Sequence, residues 1–222
     1  MHIKKLCYGL VLMLALATPV LATPTIGGTT GLIMVPSAEA LQYKEYNFGV
    51  DSISQSNGKS SLFYKFNLGA FKNMELGFVG GSVPTEGVFV NVKYHLMAEE
   101  SRYPLSLALG IQNLSSHSLT DVYMVASKKF PNFQGHFGFK ANFGESEVNA
   151  TVMAGLEYLM TNQLSLIGDI NGNKKVYQVN TGVRYVFSDF PDFAVRAAFT
   201  DLSNSLGYGT GFTIGVSYSQ FM

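Results

Sequence analysis

From residue 45 to the C-terminus, apolar residues alternate with small polar ones at a period of two, segment after segment. A helix repeats every 3.6 residues and a strand every two, so this pattern commits the chain to strands. The apolar faces read Tyr46, Phe48 and Val50; Leu62, Tyr64, Phe66 and Leu68; Met74, Leu76 and Phe78; Val88 to Leu96 at every second position; and Leu105, Leu107, Leu109 and Ile111. They continue through Phe137, Phe139, Ala141 and Phe143; Val152, Ala154, Leu156 and Tyr158; Leu164, Leu166 and Ile170; Tyr177, Val179, Val183 and Tyr185; Val195, Ala197 and Phe199; and Phe212, Ile214, Val216 and Tyr218. In "SLTDVYMVAS", residues 118 to 127, either face could be the apolar one. With it the chain holds about twelve strands of roughly ten residues, the length a tilted strand needs to cross a bilayer.

Period-two strands build either a soluble sandwich or barrel, or a membrane barrel. The second face decides between them. In a soluble protein it meets water and fills with Lys and Glu. Here it is mostly Gly, Ser, Thr, Asn and Ala, and only 14% of the whole chain is charged, 15 basic residues against 15 acidic. An ordinary soluble domain carries about 25% charged residues. No helical stretch is available to cover the apolar faces, which leaves lipid. The sequence therefore predicts an all-β, antiparallel transmembrane barrel of the outer-membrane type over residues 45–222. The isolated charges Lys65, Glu75, Lys93, Lys140, Glu157, Asp169, Arg184 and Arg196, with Asp51 and His95, are expected to line its lumen. Balanced charge gives no reason to expect a nucleic-acid partner.

Residues 1–22 read as a signal peptide: Lys4 and Lys5, an apolar core, then Val20 and Ala22 before the cleavage point. A retained membrane anchor is the alternative. The single cysteine, Cys7, lies within that core and would leave with it. The turn-rich gaps fall into two alternating sets, and with an even strand count both termini share the periplasmic side. The expected location is the bacterial outer membrane, with outer-membrane lipid and the barrel-assembly machinery as partners. The signal read by that machinery is degenerate here, because Gln220 interrupts the apolar row and Phe221 is one place out of register.

The sequence holds little equipment for catalysis. None of His2, His95, His117 and His136 is followed two places later by serine, the spacing that puts imidazole and hydroxyl on one strand face. "DINGN", residues 169 to 173, lacks the glycine and terminal Glu of a calcium loop, and its Asn171-Gly172 reads as a hairpin turn. No catalytic, cofactor or metal site is assigned. A lipid-modifying envelope enzyme stays as a minor alternative.

"GGTTGLIMVPSAEAL", residues 27 to 41, fits neither helix nor strand. Residues 23–44 are expected to form a periplasmic extension, whose apolar Leu32 to Val35 need cover from the barrel mouth or a partner protein. "GTTGLIMVPSAEAL" followed by "YNFGVD" resembles the start of the YjbH-type outer-membrane proteins associated with exopolysaccharide production. Their G-x-T-G-L-x-x-x-P-[ST]-A motif is matched here by Gly28, Thr30, Gly31, Leu32, Pro36, Ser37 and Ala38. The likeness is specific over residues 27–51 and generic beyond. Members of that family are usually much longer than this single-barrel chain. The resemblance implies an outer-membrane barrel with a part in exopolysaccharide export or passage of small solutes, alongside export proteins, and no catalytic residues. The alternative is a structural or assembly barrel whose lumen is closed by its own charges.

Overall fold

A computed structural model describes residues 23–82, 87–100, 102–116, 119–144, 148–173, 176–207 and 209–222. The signal-peptide reading of residues 1–22 and His117 lie outside the described residues. Twelve antiparallel strands close into one barrel. They are β1 (Glu45–Gln55), β2 (Ser60–Phe71), β3 (Met74–Gly81), β4 (Phe89–Met97), β5 (Ser106–Gln112) and β6 (Thr120–Lys129). The second half holds β7 (Phe133–Phe143), β8 (Val148–Leu159), β9 (Leu164–Gly172), β10 (Tyr177–Val186), β11 (Phe193–Thr200) and β12 (Gly211–Phe221). Each strand pairs with its sequence neighbours, and β1 pairs with β12 over eleven residue pairs from Glu45↔Phe221 to Gln55↔Gly211. That last pairing removes both sheet edges, so every strand backbone finds its partner within the wall.

The period-two faces sort as the sequence predicts. Phe48, Tyr64, Phe66, Phe78, Leu109, Met124, Phe137, Phe139, Leu156, Ile214 and Val216 point outward. Asn47, Asp51, Lys65, Asn67, Glu75, Asn91, Lys93, Asp169, Asn180, Arg184 and Arg196 point inward and are buried. Gln220, which breaks the C-terminal apolar row, accepts hydrogen bonds from the Tyr46 hydroxyl at 3.1 Å and from the Tyr218 hydroxyl at 2.5 Å. These three side chains form a polar rim at the mouth where β1 begins. One local expectation fails. Asn171 and Gly172 are still in strand β9, paired with Gln178 and Tyr177, and the hairpin closes one residue later, where the Asn173 amide donates to the Val176 carbonyl at 2.8 Å.

The main difference from the sequence reading concerns residues 23–41. They do not extend away from the barrel but occupy its interior, with Thr23 to Ala38 buried except the half-buried Gly27 and Met34. The reason is volume. Eight strands enclose a space that side chains alone can fill, and wider barrels leave a channel. Twelve strands with Gly, Ser, Ala and Asn inside leave room, and this segment takes it. Its apolar patch is covered by the wall rather than by the mouth or a partner. Leu32 and Ile33 cluster with Ile167 and Ala198, while Val35 and Ala38 cluster with Tyr123, Val125 and Met153. This also explains the ambiguity of residues 118 to 127: β6 carries lipid-facing Val122 and Met124 on one side and segment-facing Tyr123 and Val125 on the other.

A positive charge on the outward face tests the orientation of the wall. Leu109 and Met124 are cross-strand partners, about two-fifths exposed. Leu109→Arg should lower stability by about 2–4 kcal/mol in vesicles, the cost of a cation at the bilayer midplane. Denaturant unfolding of the reconstituted protein measures it, and an unchanged midpoint would place this face away from lipid.

Candidate functional site: the occupied lumen

Both ends of the described segment lie towards the same mouth. Thr23 lies beside Arg184, near the end of β10 at the mouth where β1 begins. Gly27 lies beside Asn91 and Gln112, near the far ends of β4 and β5. The chain then returns past Asp169 and exits through Ala38 and Glu39 into β1. The turn carries its own hydrogen bonds: Thr25 N–H to the Thr29 carbonyl at 2.8 Å, Ile26 N–H to Ile33 at 2.8 Å, Leu32 N–H to Val35 at 3.0 Å, and Ser37 N–H to Thr30 at 3.1 Å. Gly28 sits at φ 102°, and a Cβ there would lie 2.1 Å from Val79 and 2.8 Å from Asn91, so both conformation and space demand glycine.

Backbone groups left over from these turns are taken up by the charges of the wall. One oxygen of Asp169 accepts from three consecutive amides, Ile33 at 2.9 Å, Met34 at 2.7 Å and Val35 at 3.0 Å, and the other accepts from Asn180 at 2.7 Å. Glu75 accepts from the Thr30 amide at 2.9 Å, the Thr30 hydroxyl at 2.7 Å and the Leu41 amide at 3.2 Å, and pairs with Lys93 at 3.4 Å. Lys93 donates to the Thr30 carbonyl at 3.0 Å and also meets the Thr30 hydroxyl. Arg196 donates to the Pro24 and Leu32 carbonyls at 2.8 and 2.7 Å and pairs with Asp51 at 2.7 Å; Lys65 completes that cluster from the other side of Asp51. Arg184 joins Glu157 to the Thr23 hydroxyl.

The ten side chains expected to line a lumen thus do point inward, and most of them grip the segment rather than an aqueous path. Lys140 is the most peripheral, half-buried and paired with Asp121 at 2.9 Å. His95 holds the exit strand, its Nδ1 2.7 Å from the Ala38 carbonyl. The motif residues Gly28, Thr30, Gly31, Leu32, Pro36, Ser37 and Ala38 are all buried inside the barrel. Several contact residues had no distinctive signal in the sequence. Asn91 donates to the Gly27 carbonyl at 2.9 Å, Gln112 to the Thr29 hydroxyl at 3.0 Å, and Gln134 to Glu39.

Ser127 and His136 form a pair that spacing along one strand could not reveal. They are direct cross-strand partners on β6 and β7, with Oγ 2.7 Å from Nδ1. Yet this serine accepts the Ala38 N–H at 2.8 Å. Its oxygen therefore lies along that N–H, in the plane of the peptide, whereas attack on a carbonyl comes from above the plane. The pair thus clasps the segment through the Ala38 amide.

Outside the segment's grip lies a vestibule at the β1 mouth, with spaces of about 610 and 370 Å³ that share Glu39 and His95. Glu39 faces Lys129 at 3.4 Å. Burial pushes the Glu39 carboxyl up, but the Lys129 ammonium and its own backbone amide outweigh this and hold it below the ordinary carboxylate value.

Two predictions follow from this geometry. Asp169→Asn removes the charge that three N–H donors share and turns an NH2 towards the NH2 of Asn180, leaving a buried donor unpaired at about 1–3 kcal/mol. In a background without Cys7, a cysteine replacing the buried Ser37 should then react with a thiol reagent about tenfold faster or more, and an unchanged rate would mean that Asp169 does not hold the segment. For Glu39 the folded-state pKa is depressed, so its contribution is complete above the unfolded value of about 4.5 and is lost as pH falls through the lower folded value. The protection of the Ala38 to Leu41 amides, taken against the intrinsic exchange rate at each pH, should fall on acidification below pH 4.5, and Glu39→Gln should remove that component.

No protein-family model and no curated protein matches this chain, so the likeness to YjbH-type proteins rests on residues 27–51 alone. Among solved structures the fold is similar to the NanC porin, with a TM-score of 0.58 and 12% identity over 77% of this chain and 98% of that one. It is likewise similar to the KdgM porin, with a TM-score of 0.55 and 13% identity over 79% of this chain and 99% of that one, a protein also solved in complex with disordered oligogalacturonate. At these identities the likeness is one of architecture: this chain has the closed antiparallel barrel of outer-membrane porins.

Proposed function

We propose that this protein is an outer-membrane barrel for the passage of small solutes, closed at rest by its own residues 23–41. The observation that carries the reading is the occupied lumen, held through Asp169, Glu75, Lys93 and Arg196 inside a wall of porin architecture. Passage requires the segment to move. Every described connection between it and the wall is non-covalent except the backbone at the β1 mouth, where Gln42, Tyr43 and Lys44 are exposed. In the bilayer that mouth faces the periplasm, since the exported chain enters β1 from there. An association with exopolysaccharide export is the narrower form of this proposal and draws its support from the motif at residues 28–38.

The second reading, a permanently closed structural barrel, is favoured by one observation: the lumen charges are engaged in ion pairs, and breaking one such buried pair by removal of a partner costs about 3–5 kcal/mol. Planar-bilayer recording separates the two. The full chain should rest near bare-lipid conductance with rare openings. A variant lacking residues 23–41, shown by heat-modifiable gel migration to be folded, should conduct steadily. A folded variant that conducts no better than the full chain would sink the passage reading and leave the structural one.

A further inference from the structure

The contacts that hold residues 23–41 read backbone rather than covalent attachment, and this has a consequence for what the lumen can bind. Asp169 and Glu75 accept five amide N–H groups between them, while Lys93, Arg196 and Asn91 donate to the carbonyls of Thr30, Pro24, Leu32 and Gly27. Within the barrel the segment carries its own internal turns and the isolated bridges Pro24↔Thr30 and Gly31↔Pro36, so part of its backbone is satisfied internally. Its side-chain requirements are few and definite. Gly28 and Gly31 must lack a Cβ, which would meet Val79 at 2.1 Å in one case and the Val35 carbonyl oxygen at 2.4 Å in the other. Thr30 must supply a hydroxyl to Glu75, and Leu32, Ile33 and Val35 must fill the apolar hollow of Ile167, Val125 and Met153.

We propose that the barrel interior is a sequence-selective peptide-binding site, for which residues 23–41 are a tethered and exchangeable ligand. A separate peptide of the same sequence binds the same groups in trans. This rests on the closed-lumen reading but not on solute passage, because binding is measured without conductance. Tethering gives the attached segment an effective concentration in the millimolar range for a short linker. The intact chain therefore outcompetes dilute free peptide, and exchange becomes visible once the tether is cut.

The experiment folds the full chain with a specific protease site inserted between the exposed Gln42 and Tyr43, then cleaves it in detergent. Trypsin cleavage of the unmodified protein at the exposed Lys44 serves if the insertion disturbs folding. The nicked barrel should retain its fragment through gel filtration. A dye-labelled synthetic peptide of residues 23–42 should replace that fragment with saturable anisotropy, whereas the uncut chain should take up little. Gly31→Val in the peptide, or Asp169→Asn in the barrel, should weaken binding tenfold or more. Immediate loss of the fragment with no uptake of labelled peptide would overturn the proposal. So would equal uptake of a scrambled peptide, or a retained fragment that never exchanges.

Discussion

Closure of β1 on β12 is the constraint on which the rest of this structure depends. Eleven residue pairs join the first strand to the last and leave no open edge. Once the sheet is closed, the two faces of every strand acquire different solvents. The outer face is apolar, and no described element of the chain covers it. The inner face is polar, and twelve strands enclose more space than their small inward side chains can fill. Filling that space is the task of residues 23–41.

The interior is a case of charge burial solved by backbone. Lys65, Lys93, Glu75 and Asp169 sit deep in the barrel, and isolated charges there would be prohibitively expensive. Ion pairs meet part of that cost: Glu75 and Lys93 are register partners on the neighbouring β3 and β4, while Arg184 and Arg196, facing each other on β10 and β11, each reach a carboxylate two strands away, Glu157 on β8 and Asp51 on β1. The remainder comes from the amides and carbonyls of the segment. A turn-rich, glycine-rich stretch is well suited to this, since its non-helical, non-strand backbone exposes polar groups in several directions. Three successive N–H groups converging on one Asp169 oxygen are possible because residues 33–35 are in a tight bend rather than a strand.

The same arrangement bears on function. The wall has the architecture of outer-membrane porins, and its lumen is occupied by the chain's own residues 23–41. The described segment, whose two ends both lie towards the β1 mouth, fills the barrel without joining its wall of strands. The vestibule around Glu39, His95 and Lys129 lies where the segment leaves the barrel interior for β1.

The sequence by itself determined the class of fold, an approximate strand count and the direction of nearly every strand side chain, because alternation at period two is a local property that needs no knowledge of which strands meet. It also marked Asp51, Lys65, Glu75, Lys93, Asp169, Arg184 and Arg196 as interior, since single charges on an otherwise small-residue face have few other places to go. Only the tertiary structure decided what those charges hold. Residues 27–41 lack periodicity, so nothing local says whether they lie outside the barrel or within it; their place follows from the volume left by twelve closed strands. The Ser127–His136 clasp likewise depends on the register of β6 against β7, and the inward role of Tyr123 and Val125 on the presence of Val35 and Ala38 opposite them. These are relations between distant parts of the chain, and they exist only once the barrel has closed around its own N-terminal segment.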